Sequence, residues 1–183
     1  KMIGTKELLR LVKENKLVEN LSERELNNPE GEGFDLRAGE VFKVIGKEAF
    51  LGIVERSTAN AESMAKYNEN FSEQPIIILN PGDYVLVKTI EKINLPNNIS
   101  AIFTPRTTLQ RNGIILITSN SSPGYSGELT FGMYNAGKVI FKLELGARIA
   151  TALFHETSEN ISRYRGQWQH GRVSTKGIKE IQI

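Results

Sequence analysis

"QPIIILNPGDYVLVKTIEKINLP", residues 74–96, decides how the chain is read. Runs rich in Ile and Val flank Asn80-Pro81-Gly82-Asp83, where Pro presets φ and Gly and Asn tolerate positive φ, so the tetrapeptide turns the chain between two strands. The same texture continues outward from residue 34. "VFKVIG" (41–46), "ISAIFTP" (99–105), "NGIILIT" (112–118), "GELTFGMYNAG" (127–137) and "VIFKLELGARIATALFHE" (139–156) are short β-rich runs punctuated by Gly, Pro and Asn. Asn135-Ala136-Gly137 is a second turn of this kind. This spacing predicts a mostly antiparallel barrel or jelly roll, with both turns serving as connections rather than as functional sites.

Upstream, "GTKELLRLVKENK" (4–16) places Thr5 in a capping position, Glu7 in the first turn, and Leu8, Leu9, Leu11 and Val12 at near-helical spacing, which predicts a short N-terminal helix. "ERSTANAESMAKYNENFSEQ" (55–74) is polar and lacks a clean period, and reads as a long surface insertion or a poorly packed helix. At 183 residues the chain is the size of one domain, taken as 1–183 with a tail from 160. No run approaches the ~18 apolar residues of a membrane helix, and the opening residues lack the apolar core of a secretory signal, which points to a cytoplasmic protein without a membrane partner. With no cysteine and two histidines, His155 and His170, a nitrogen- or sulfur-held metal is not expected. A net charge of +2 is too balanced to imply a nucleic-acid partner, so any anion site must be local.

Four segments could carry chemistry. "ITSNSSPGYSGEL" (117–129) crowds hydroxyls, an amide and glycines around Tyr125 between two strands, as a loop that holds a ligand would. "GEGFDLRAGE" (31–40) sets Asp35 at the head of a strand, where it either accepts hydrogen bonds beside a hydrated cation or is an ordinary strand-edge carboxylate. In "TPRTTLQRNG" (104–113) a helical turn over 107–112 would combine hydroxyls, backbone N–H groups and guanidinium as a phosphate clamp, against the alternative of a solvated basic turn. "RYRGQWQHGRVSTKG" (163–177) interleaves arginines, aromatics and glycines, as a segment closing over a charged planar ligand or as a disordered basic tail.

In this order, "GFDLRAGE", "PRTTLQRNG", "SPGYSGELTFGMYNAG" and "RYRGQWQHGRVST" resemble the successive motifs of the superfamily that joins dUTP diphosphatases and dCTP deaminases, over residues 3 to 175. The resemblance implies a mainly β, dUTPase-like distorted jelly roll (a β-clip type barrel) with a short N-terminal helix and a mobile C-terminal tail. It also implies a homotrimer with sites between subunits, a deoxyuridine or deoxycytidine triphosphate ligand, and Mg²⁺ bound through the phosphates. By the same resemblance Asp35 positions hydrated Mg²⁺, and Arg106, Thr107 and Thr108 contact phosphate. Arg111 matches a second arginine of the deaminases, and Tyr125 packs beneath deoxyribose and rejects a 2′-hydroxyl. Residues 117–124, with Asn120, cradle the pyrimidine, while Arg165 and Gln167 belong to the closing tail.

Both catalytic carboxylates of the family are replaced. The water-activating aspartate of the diphosphatases corresponds to Ser122, and the proton-shuttling glutamate of the deaminases to Gly132. Serine is no general base near neutral pH, and losing such a base commonly costs about 10²–10⁴ in rate. Glu128, Asp35 and Glu62 are the candidate substitutes, with Glu128 otherwise facing solvent or a neighbouring subunit. His155 reads as a structural strand-end residue and His170 as a surface residue near Trp168, which stacks on the base or anchors the tail. Three activities follow: a dUTP diphosphatase of unusual catalytic makeup, placed first; a dCTP deaminase, opposed by Gly132; and a nucleotide-binding homologue without turnover.

Overall fold

A computed structural model of the protein describes residues 1–158 and 162–182. In chain order it begins with α1 (Thr5–Asn15), β1 (Val18–Glu19), α2 (Glu23–Asn27) and the long β2 (Gly33–Ile45). Next come β3 (Phe50–Leu51), β4 (Glu55–Ser57), β5 (Asn60–Lys66), β6 (Ile76–Leu79), β7 (Tyr84–Asn94) and β8 (Ile99–Pro105). After the single turn of α3 (Thr107–Arg111) follow β9 (Ile114–Ile117), β10 (Asn120–Ser121), β11 (Ser126–Asn135), β12 (Phe141–Glu144) and β13 (Arg148–Glu156). The tail carries a 3₁₀ turn at Gln169–Gly171 and β14 (Glu180–Ile181).

The main sheet runs β10-β8-β13-β2-β7-β11-β9, with β1 and β5 attached to β7 and β2. Its two ends, β9 and β10, are consecutive in sequence, and three residue steps of ~3.6 Å leave at most about 11 Å between Ile117 and Asn120. The sheet must therefore curl until its edges approach each other without pairing, and it forms a curled half-barrel within the mainly β, antiparallel architecture that the short runs predict. Along β7 every second residue from Val85 to Ile93 is buried, as the two-residue period of a half-buried strand requires.

Two of those inward positions are polar and join irregular pairings. A bulge between Glu128 and Thr130 frees the Leu129 N–H from the β11–β7 ladder, and it donates to Thr89 Oγ1 at 3.0 Å. Glu91 is fully buried beside the β2–β7 irregularity and accepts from the Arg37 side chain at 2.6 Å and the Arg37 backbone at 2.7 Å. Burial raises its pKa, and the Arg37 bonds oppose that rise. The two turns touch: buried Asn135 donates from Nδ2 to Leu79 O and Val139 O, both at 2.9 Å, while its carbonyl accepts from Gly82 N–H at 2.8 Å. Both sequences do serve as connections.

Three expectations about the rest of the chain change. Residues 55–74 hold no helix: β4 lies in a small sheet ordered β14-β4-β3, and β5 pairs with β2 from Ile45↔Asn60 to Glu40↔Lys66. Their polarity reflects an edge strand that buries neither face. Thr5 is the first helical residue rather than the cap; Gly4 takes that place without a side-chain bond. The tail expected from residue 160, of which residues 160, 161 and 183 lie outside the described part, is docked on its own chain. Thr175 and Thr58 exchange N–H to Oγ1 bonds of 2.9 and 2.8 Å, and Glu180 pairs with Arg56 in the small sheet. Among the described residues no helix is long and apolar enough to cross a membrane.

Candidate functional site

The Tyr125 loop closes the barrel. From β9 the chain crosses to the opposite edge of the sheet, where Asn120 and Ser121 pair with Ile102 and Ala101 of β8, and Thr118 Oγ1 donates to Phe103 O at 2.9 Å. It then turns over Ser122-Pro123-Gly124-Tyr125 against β7, with Gly124 N–H donating to Leu95 O at 2.9 Å and Leu95 N–H to Tyr125 O at 2.8 Å. Tyr125 is buried, donates its hydroxyl to Glu128 O at 2.6 Å, and meets Tyr164 edge-on with centroids 5.5 Å apart. Burial pushes its pKa up to about 12, so the ring is a neutral wall near pH 7.

Above this loop lies a cavity of about 930 Å³, within the range of small-molecule sites. Asn120, Ser122 and Tyr125 line one side, Tyr84, Leu86 and Phe131 the floor. Arg56 to Ala59 of the former insertion form the other side, and Trp168 and Arg172 of the tail cover it. The tail is held there in cis: Ser126 N–H donates to Gln169 Oε1 and Gln169 Nε2 to Gly124 O, both at 2.9 Å. Gly127, at φ 150°, lets the backbone of His170 and Gly171 lie directly on β11, where a Cβ would collide with Gly171 N. Glu128 is half-buried, its Oε2 standing where a Cβ at Gly171 would fall, and it does not line the cavity.

The floor accounts for one lost carboxylate. A Cβ at Gly132 would stand 2.6 Å from the Tyr84 hydroxyl and 3.2 Å from its ring. Tyr84 thus occupies the space that a side chain at 132 would use, and partial burial raises its pKa.

A second cluster surrounds Asp35, itself only 6% exposed. Its Oδ2 accepts from Arg106 Nη1 at 2.6 Å and Arg148 Nη1 at 2.8 Å, and Oδ1 accepts from Thr151 Oγ1 at 2.8 Å. Arg24 approaches to 3.7 Å, and the Asp35 N–H donates to buried Glu25 at 3.0 Å. Arg106 is the residue before α3, on which Thr107, Thr108 and Arg111 are exposed. Arg106, Thr107, Thr108 and Arg111 follow the end of β8, Arg106 lying five residues along from Ala101, the partner of Ser121, or roughly 16 Å of strand at ~3.3 Å per residue. Asp35, paired through Thr151 to Thr104, stands only two residues in register from Ile102, the partner of Asn120, with β8 and β13 between it and the 122–125 loop. Gln167 spends its side chain on Ile181 O at 2.8 Å, and Arg165 is exposed; neither lines the cavity. His170 is exposed, while His155 Nδ1 is buried without a partner among the described residues.

The Asp35 surroundings do not fit a protein-held Mg²⁺. Two guanidiniums already occupy one carboxylate oxygen, and among the described residues no group of three or more His, Asp or Glu converges. Sequence reasoning missed Arg56, Tyr84, Arg148 and Gln169. Tyr84 opens β7 just after the 80–83 turn and reads as an ordinary strand residue, and Arg56 sits in a segment with no period at all, so neither carried a motif.

Similarity to known proteins gives the family. A family model described as dCTP deaminase-like matches residues 2–157. A relative named "Probable deoxyuridine 5'-triphosphate nucleotidohydrolase" from Methanothermobacter thermautotrophicus is 28% identical over 137 residues, covering 75% of this chain and 85% of its own. A dCTP deaminase of Pyrococcus furiosus is 30% identical over 155 residues, 84% of each chain. Among solved structures, a 2'-deoxycytidine 5'-triphosphate deaminase from Agrobacterium tumefaciens superposes with TM-score 0.63 at 14% identity, over 84% of this chain and 47% of that one. The family match over most of its length, with relatives named for both activities, makes this chain a member of the dCTP deaminase-like family, in which dUTP diphosphatases and dCTP deaminases meet.

Proposed function

We propose that the chain binds a pyrimidine deoxynucleoside triphosphate over Tyr125 and does not turn it over by either carboxylate route of its family. The observation that carries this reading is the Tyr84 ring standing over Gly132, beside a loop whose position 122 is serine. Room for a proton-transferring carboxylate has been exchanged for an aromatic wall. Binding features persist. Tyr125 is fixed by its hydroxyl bond, Asn120 and Ser122 offer amide and hydroxyl groups, and the Arg106–Arg148–Asp35 cluster keeps two guanidiniums for one carboxylate. Because the turn that carries Arg106 lies roughly 16 Å of strand from the partner of Ser121, a homotrimer in which the Arg106 turn of one copy meets the Tyr125 loop of the next would complete the site. Mg²⁺ would enter on the triphosphate, since among the described residues no cluster of carboxylates forms a site for it.

The second reading is dUTP hydrolysis to dUMP and pyrophosphate. It is favoured by Asp35 and Arg106 standing in contact at 2.6 Å, as a retained phosphate end would. One experiment separates the readings. The protein is incubated with dUTP or dCTP and Mg²⁺, binding is measured by calorimetry, and pyrophosphate, ammonia and intact nucleotide are quantified. Saturable binding with intact nucleotide is expected. Steady pyrophosphate release from dUTP would replace the proposal with the second reading, and ammonia from dCTP would restore the deaminase.

A further inference from the structure

The cavity contains a cation that the family motifs do not supply. Arg56 lies on the middle strand of the small sheet, paired to Leu51 on one side and Glu180 on the other, and Thr58 two residues later is clasped by Thr175. The side chain stacks on the tail: its guanidinium carbon lies 4.8 Å from the centroid of the Trp168 ring. Yet Nε and Nη2 are both buried with no hydrogen-bond partner, and Arg56 makes no ion pair within 4.0 Å among the described residues. Arg172, on the same indole at 5.8 Å, is ion-paired to Glu180, whose carboxylate also acts on Arg56 electrostatically but without a hydrogen bond to its Nε or Nη2. Thr130 Oγ1, on the same cavity, is also buried and unpaired.

Nε and Nη2 form one edge of a guanidinium, and their N–H bonds point the same way, matching two oxygens of a tetrahedral oxyanion. A desolvated, unpaired fork of this kind is unfavourable until an acceptor fills it. We propose that this Arg56 edge is a phosphoryl-binding subsite of the cavity, formed by the 50–59 hairpin in cis and holding a phosphate of the nucleotide whose sugar rests on Tyr125. The subsite rests on the nucleotide-binding reading above and adds to it a specificity element: the cavity selects phosphorylated ligands within a single chain, independently of the Arg106 end.

Titration of the full-length protein with pyrophosphate, deoxyuridine and dUTP tests it. Calorimetry gives the affinity, and fluorescence of Trp168, the one tryptophan, reports on the ring that Arg56 covers. Arg56→Gln should weaken dUTP and pyrophosphate at least tenfold, leave deoxyuridine within twofold, and abolish the anion-induced fluorescence change. Arg56→Lys, which keeps the charge and loses the fork, should recover less than half of the lost binding energy. Unchanged dUTP affinity in Arg56→Gln, or equal losses for dUTP and deoxyuridine, would overturn the subsite while leaving nucleotide binding intact. If the wild type binds pyrophosphate through Arg56 but not deoxyuridine or dUTP in preference to it, the subsite stands and the nucleotide reading fails. Absence of any pyrophosphate or dUTP binding overturns both. Circular dichroism of each variant checks that the fold persists.

Discussion

Replacing Asp35 should separate the charge of its cluster from its shape. The carboxylate is 6% exposed and receives two guanidinium bonds and one hydroxyl bond, while Arg106 and Arg148 are 35% and 37% exposed. Removing one partner of a fully buried pair costs about 3–5 kcal/mol; with the arginines a third open to water, about 2–3 kcal/mol is expected for Asp35→Ala. Asparagine can keep one oxygen toward the arginines and turn its amide toward Thr151, so Asp35→Asn loses only the charge assistance, about 1–2 kcal/mol. Urea unfolding measures both. Because Asp35→Ala leaves Arg106 and Arg148 facing each other, sulfate should recover part of its loss and should do little for the wild type. Equal destabilisation by Asn and Ala, or a sulfate response no larger than that of the wild type, would refute the view that Asp35 holds the cluster by charge.

Gly132→Ala should lower stability by less than about 1 kcal/mol, because its Cβ meets, 2.6 Å away, the hydroxyl end of the 43% exposed Tyr84, which can swing aside. Thermal melts of Gly132→Ala in a Tyr84→Ala background should show that cost vanish; an unchanged cost would mean Tyr84 is not the obstacle. Ser122→Asp should create measurable pyrophosphate release from dUTP if the loop keeps the family's geometry, and no gain would place position 122 away from the reacting phosphorus. Tyr125 keeps its proton to about pH 12 in the fold, against a usual value of 10.0. Its contribution is therefore complete below pH 10 and falls as pH rises through 12, by about 2–3 kcal/mol at most. Tyr125→Phe should show a flatter stability profile over that window, with the latest tyrosinate absorbance step missing; an identical profile would show that Tyr125 does not carry the linkage.

Much of this architecture was legible because it rests on local rules. The alternation of β7 and the Asn-Pro-Gly-Asp and Asn-Ala-Gly turns announce antiparallel strands, and the structure uses both turns as connections. The 55–74 segment was illegible for the complementary reason. Period is written into a sequence only where one face is buried, and β5 buries neither, so a genuine strand looked like an insertion. The site divides in the same way. Tyr125 and Arg106 were visible through motifs, whereas Arg148, 113 residues from Asp35, reaches it only through strand pairing. Arg56 becomes a cavity residue only once the tail has laid Trp168 across it.

The barrel's seam and one wall of its cavity are a single stretch of chain, since residues 118 and 119 alone bridge the two sheet edges while the next few residues line the cavity. A molecule that presses Asn120 and Ser122 into place also laces the edge strands together. Occupancy should therefore be felt far from the pocket, as slowed hydrogen exchange along β8 and β9, and a lengthened loop would slacken the barrel and the grip in one stroke.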